Sequence, residues 1–402
     1  MILKMAWRNI WRRKRRTWIL ISAVTVALFG LFFFLSVTEG GVRQAVKNII
    51  DSGTGHIQIH REGYLRDPEP KRFIFAPDSL MEKIPFSEIE TMAKRVNLQG
   101  VIYSPQATSP VQSIGGDLEK EKRLTKFREF LIKGRFPEKE NDILIGNELA
   151  DVLDVDLQDK IVFNSADVDG EIRASAFRIS GIFKSPSRDV NRYFVLMDIR
   201  AAAHMAGYTD AANEIVIRLH KDRDVPRVQE KIKARVSREL EVLSWGDIYP
   251  ALKYQFDIFK EMMLLFGFII LLGATFGIVN VFLMSIYERM REFGVMRAVG
   301  LKPIKLSRLI FMEGLLIGVV SVWIGGVLCA ALYVYLSLKG LNLSVFSRSL
   351  EIWGTGAVIY PYISLASVFE LVLMVFVIIF LSVIVPARKA SKIVITEALR
   401  YV

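Results

Sequence analysis

Chemistry in this chain would have to come from four histidines, one cysteine or a run of paired charges at Glu288–Glu292. His56-Ile57-Gln58-Ile59-His60 alternates polar and apolar residues, which predicts a strand. Both histidines then share a face, but four residues of strand separate them by about 13 Å, too far to hold one metal. His204 and His220 have no carboxylate or cysteine at ligand spacing. Cys329 lies alone in an apolar run, which excludes an intrachain disulfide and a cysteine metal cluster. No nucleophile elbow, H-E-x-x-H or phosphate-cradling glycine loop with its lysine is present. The expectation is a non-catalytic chain with no cofactor and no metal.

The paired charges are more informative. In Asn280–Gly300 an apolar helix turns abruptly into Glu288-Arg289-Met290-Arg291-Glu292 and continues as Phe293-Gly294-Val295-Met296-Arg297-Ala298-Val299-Gly300. Met262 to Tyr287 is long enough to span a bilayer with some tilt. The charges therefore fall where that helix leaves the membrane. Phe293, Met296, Val299 and Gly300 recur at helical spacing and predict a short surface helix, which Lys302-Pro303 ends. One reading is an ordinary juxtamembrane helix; the other is a lever that receives a push from a partner.

What must position this stretch is a set of membrane spans. The chain has 402 residues, 52% of them hydrophobic, and a net charge of +11. Residues 1–17 carry +7, 288–308 carry +4 and 387–402 carry +3, so the remainder nets −3. The basic excess lies beside apolar runs, the positive-inside pattern, and not on a folded domain as nucleic-acid binding requires. Residues 1–17 predict a basic amphipathic helix with Trp7 and Trp11 at interface depth. Trp18 to Thr38 follows as a first span, too long and too poor in a small-x-small site for a cleaved signal peptide. Both termini are placed in the cytoplasm, and residues 39–255 form an extracytoplasmic α+β domain large enough for its own core. Residues 256–287 form a stalk and second span, and 288–308 the inner loop. A third span covers 309–338, an outer loop 339–366, a fourth span 367–385 and an inner tail 386–402. The fold class is an α-helical membrane protein with four transmembrane helices and a large extracytoplasmic domain between helices 1 and 2.

Within the domain the pattern predicts helices over 42–50, 85–96 and 225–240. Strands are predicted over 101–112, 127–133, 159–163, 179–183, 214–219 and 242–245, and 61–85 is an irregular loop. In the third span Gly318, Gly325 and Gly326 offer small faces for close helix packing. Glu313, near its inner end, reads as a snorkelling or packing residue before a pathway residue.

The run Glu288, Arg289, Arg291, Glu292, Gly294, Arg297, Gly300 resembles the coupling-helix signature of four-span ABC transporter permeases of the FtsX, MacB and LolC/LolE family. Residues 133–150, the return at Trp245 and Pro250, and the tracts 386–390 and 397–400 are similar to that family as well. A departure is Leu157-Gln158-Asp159, where the family more often has glycine before the aspartate. The resemblance implies a cytoplasmic ABC ATPase dimer as partner, carrying ATP and magnesium. It also implies a second permease copy or paralogue, a possible periplasmic acceptor, contact with membrane lipids, and a bacterial inner-membrane location. The resemblance is greatest to LolC/LolE, which implies lipoprotein or another amphiphilic substrate. MacB-like efflux or peptide export and FtsX-like mechanical signalling stay open. Phe29, Phe32 and Phe33 of the first span with Met262, Met263 and Phe266 of the second are candidates for a lipid-accepting cavity; plain packing or lipid contact is the other reading.

Overall fold

The computed structural model describes residues 2–12, 14–346, 350 and 354–392. The chain divides into two compact units, one of Met1–Gly41, Asp257–Leu341 and Ile359–Val402, the other of Val42–Phe256 and Asn342–Val358.

The first unit is helical. Helix α1 (Ile2–Arg12) buries Ala6 and Ile10 and leaves its basic residues outward. Among the described residues, four further helices are long and apolar enough to cross a membrane. The first, α2 (Lys14–Ile49), runs past the predicted span into the predicted stalk helix, because no proline interrupts Val42–Ile49. Its inner part packs through Leu20, Ile21, Val24 and Leu28.

The second unit is α/β. After a π-turn at Ile50–Thr54, it runs β1 (Ile57–Arg61), β2 (Ile74–Phe75), α3 (Pro77–Glu82), β3 (Ile89–Tyr103), β4 (Thr108–Gly116) and α4 (Leu118–Leu124). Next come β5 (Leu131–Gly134), β6 (Asp142–Gly146), α5 (Asn147–Leu153), β7 (Lys160–Ala166), β8 (Ile172–Phe183), α6 (Arg188–Tyr193) and β9 (Phe194–Asp198). The unit continues through α7 (Ile199–Ala206), β10 (Ala211–Ala212), β11 (Glu214–Leu219), α8 (Val225–Lys233), β12 (Leu240–Ser244) and α9 (Trp245–Ile248). Ten strands form one sheet, ordered β12-β1-β11-β3-β4-β9-β6-β8-β5, with β7 pairing β3 and β8. One core lies under α8, around Ile57, Ile59, Ile215, Ile217 and Val228. A second gathers Val96, Ile102, Ile145, Phe163 and Phe177 beside α5 and α7.

Three remaining long helices complete the first unit: α10 (Pro250–Glu288), then after the short α11 (Met290–Ala298), α12 (Pro303–Lys339) and, past the small pair β13 (Leu341–Asn342) and β14 (Val358–Ile359), α13 (Leu365–Ser391). The glycines of α12 act unequally. A Cβ on Gly318 would meet Ile379 of α13, and one on Gly325 would meet Leu28 of α2, whereas Gly326 faces open space. Helix α13 continues through Pro386 to Ser391, past the predicted end of the fourth span. The tract 397–400 lies outside the described residues.

Several predicted elements change. Residues 85–96 are not a helix: from Ile89 they form β3, because that stretch pairs with both β11 and β4. Its Glu, Met, Ala and Lys content favours helix locally, and sheet pairing overrides it. The predicted strand 101–112 breaks at Ser104–Ala107, where the Ser104 hydroxyl accepts the N–H of Ala107. Helix α8 stops at Lys233, and β5 begins only at Leu131. The irregular stretch 61–85 contains β2 and α3.

Candidate functional site

The stretch around Glu288 becomes a helical hairpin. Arg289 adopts φ −111° and ψ 14°, which breaks the helix between α10 and α11. Its carbonyl accepts the N–H of Phe293 and so starts α11. At the other end Gly300 takes φ +98°, a conformation that side-chain-bearing residues rarely adopt, and Leu301 N–H returns to Met296 O. Pro303 then opens α12, where its missing N–H costs nothing.

Helix α11 is seated from three sides. Phe293, 1% exposed, enters the helical core, with the Arg289 guanidinium 4.9 Å from its ring centroid. The Arg289 Nη1 donates to both Glu313 oxygens at 3.1 and 3.2 Å. Glu292 accepts from Arg289 Nε at 3.3 Å and from Arg12 of α1. Partial burial pushes the Glu292 pKa up, but the hydrogen bonds from Arg12 and Arg289 outweigh it and hold the carboxyl below its usual range. On the third side Arg297 Nη1 donates to the carbonyl of Ser391 in α13 at 3.2 Å.

The seven predicted residues therefore divide. Arg289 and Gly294 are buried, and Glu292 and Arg297 are half-buried in contacts within the bundle. Glu288 lies 3.8 Å from Arg16. Arg291 and Gly300 are exposed, and so are Val295 (48%) and Val299 (85%) beside them. Phe293 and Met296 pack inward, so the face that the hydrophobic spacing picked out is mostly the seat of α11, with Val299 on the open side. The open side pairs an apolar tip with the charge of Arg291 and Lys302.

The six residues read as a possible cavity fall in three environments. Phe32 is buried, edge-on to Tyr333 with ring centroids 6.4 Å apart, and Phe29 packs on the same core. Phe33 and Met263 are half-buried, and the Met263 sulfur lies 3.9 Å from the Thr38 hydroxyl. Met262 and Phe266 are exposed along α10.

Of the histidines, His56 accepts the N–H of Leu219 on Nδ1, and its Nε2 lies 3.0 Å from Asp222. His60 is fully buried against the Tyr64 ring, and burial lowers its pKa.

Sequence reasoning missed Asn9 and Arg12 as partners of this hairpin. It also missed a sealed ion cluster in the second unit. There Arg95 is held by Glu121 at 2.7 and 2.8 Å, by Glu214 at 3.0 Å and by the carbonyl of Gly53 at 2.5 Å. Asn9 and Arg12 lie one turn apart on an amphipathic helix, which was a visible signal. Arg95 is separated from its carboxylates by 26 and 119 residues, which no local pattern reveals.

Four membrane-length helices with an α/β domain between the first two define a membrane permease carrying a large domain outside the bilayer. The description "MacB-like periplasmic core domain" matches residues 17–235, and "FtsX-like permease C-terminal" matches 264–395. The chain belongs to this family, the ABC transporter permeases of the LolC, MacB and FtsX type, and its large domain is periplasmic. It is similar to the lipoprotein-releasing system transmembrane protein LolC of Xylella fastidiosa, 26% identical over 65% of this chain, and spans 65% of that relative's length. The LolC of Neisseria meningitidis is 19% identical over 96% of this chain and 94% of its own length. The macrolide export ATP-binding/permease protein MacB of Escherichia coli is 21% identical over 79% of this chain and 50% of its own length. The crystal structure of the periplasmic region of MacB from Actinobacillus actinomycetemcomitans aligns with 50% of this chain and 94% of its own, at 10% identity and a TM-score of 0.36.

Proposed function

We propose that this chain is the non-catalytic permease subunit of a transporter that extracts lipoproteins from the bacterial inner membrane, driven by a separate cytoplasmic ATPase dimer. ATP and magnesium bind on that partner. A second copy or a paralogue of this chain completes the pathway, both termini and α11 face the cytoplasm, and a periplasmic acceptor takes the cargo.

The observation that carries this reading is the division of α11. One side is fixed to α1, α12 and α13, and the other presents Arg291, Val295, Val299 and Gly300 uncovered. A helix built this way transmits force from an outside partner into the bundle. The lipoprotein reading is supported by the similarity to LolC along nearly the whole chain. The similarity to MacB favours export of another amphiphile as the second reading.

Purification of the intact complex from its native membrane, followed by mass spectrometry of everything bound, tests both. An ATPase with acylated polypeptides is the expected result. An ATPase with an adaptor and no acylated cargo selects export. An ATPase with an envelope hydrolase selects mechanical signalling, and no ATPase at all overturns the docking role of α11.

A further inference from the structure

Five side chains at the foot of the helical unit form a closed ring. Asn9 Nδ2 donates to Glu313 Oε1 at 2.8 Å. Glu313 binds Arg289, Arg289 binds Glu292, and Glu292 binds Arg12. Asn9 and Arg12 are one turn apart on α1, so the helix itself closes the circuit. The ring joins α1, the start of α11 and α12. Its two arginines balance its two glutamates, so the ring itself carries no net charge.

The two halves of the ring differ. Arg289 and Glu313 are buried, with side-chain exposures of 7% and 9%. Arg12 is exposed and Glu292 half-buried, with side-chain exposures of 60% and 32%. A partly exposed pair of this kind contributes little to stability. Its geometric effect is larger, because it ties α1 to α11, which leads into the exposed Val299. Helix α2 begins at Lys14, and its Thr17 hydroxyl donates to Ile10 O of α1 at 2.5 Å. Arg16, in α2, lies 3.8 Å from Glu288 and adds a second contact to the same stretch.

We propose that α1 is a transmission strut: displacement of α11 reaches α2, and the stalk it continues into, through the Arg12–Glu292 tie, with Glu313 and Arg289 as positioning residues that hold the tie in register. This rests on the reading of α11 as the element that an ATPase moves. It goes beyond that reading because it gives the N-terminal helix a mechanical role in place of a simple membrane anchor. The alternative is that α1 only lies at the interface and must slide freely while α11 moves.

The test uses the full chain with whatever ATPase co-purifies, in lipid nanodiscs, and reads deuterium uptake of stalk residues 42–54 with and without ATP and magnesium. In the wild type, nucleotide shifts that uptake. Arg12→Glu is expected to keep the ATPase bound and reduce the shift about fivefold, the size a surface ion pair can control. The swap Arg12→Glu with Glu292→Arg is expected to restore it. A second preparation, Arg12→Cys with Glu292→Cys in a Cys329→Ala background, is joined by a short bis-maleimide. The joined protein is expected to keep the full shift. A joined protein that loses the shift, or an unrescued charge swap, overturns the strut. Failure of the α11 reading has a different mark: no ATPase co-purifies with the wild type, while the 12–292 bridge still forms in the chain alone.

Discussion

Two arginine clusters in this molecule use the same ions to opposite ends. Arg95, in the α/β unit, is 1% exposed and holds two carboxylates and the carbonyl that ends the stalk turn. Burial alone would lower its pKa, but Glu121 and Glu214 raise it above the ordinary arginine value, so it stays charged. Beside it Arg218 binds Asp51 at 2.7 Å, a second fixing of the same turn. Arg289 also bridges two carboxylates, yet one of them, Glu292, is shared with an arginine in solvent. The first cluster is sealed on all sides and suits a fixed joint. The second is open on one side and suits a contact that moves with its neighbours.

The contrast breaks first at Arg95. Arg95→Met leaves Glu121 and Glu214 buried without a cation, which costs about 3–5 kcal/mol. Thermal unfolding of the detergent-solubilised chain should show a large drop in the transition of the α/β unit. An unchanged transition means the cluster is not a joint. Arg12→Ala, at the open cluster, should cost about 1 kcal/mol or less in the same assay. Smaller still, and of opposite sign, is a turn at the rim of the sheet. Gln158 has φ +68° and an exposed side chain, so Gln158→Gly should relieve backbone strain and stabilise by up to about 1 kcal/mol. A loss of stability there means that the side chain, and not its backbone, is what the turn needs.

Gly300 refines the comparison within the open site. Its φ of +98° resists any side chain, though a Cβ there would meet nothing within 4 Å. Gly300→Ala should therefore cost about 1–2 kcal/mol of backbone strain, confined to the α11–α12 turn. It should weaken ATPase co-purification while leaving the unfolding of the α/β unit untouched. Equal damage to both units contradicts a local turn.

Much of this was legible in the sequence because membrane spans are long and apolar and their flanks are basic. The departure at Leu157-Gln158-Asp159 was legible too: the chain keeps the left-handed backbone that glycine would favour and seats Gln158 in it. Other features were not. Residues 89–98 carry helix-forming side chains, and only pairing with distant β11 and β4 makes them a strand. The spacing of Phe293, Met296 and Val299 gave the helix but not which face looks outward, since core and partner surfaces are both apolar. The ring at Glu313 depends on contacts 304 residues apart, between Asn9 and Glu313, that no local pattern encodes.

The most direct test of the account is cysteine cross-linking in native membranes, in a Cys329→Ala background. Val299→Cys, at the exposed tip of the α11 hairpin, should cross-link to an ATPase of the size of a nucleotide-binding subunit. Ile172→Cys, 78% exposed in the periplasmic domain, should not. A cross-link to the ATPase from 172, or none from 299 with the ATPase present, contradicts the claim that this hairpin is where ATP hydrolysis is felt.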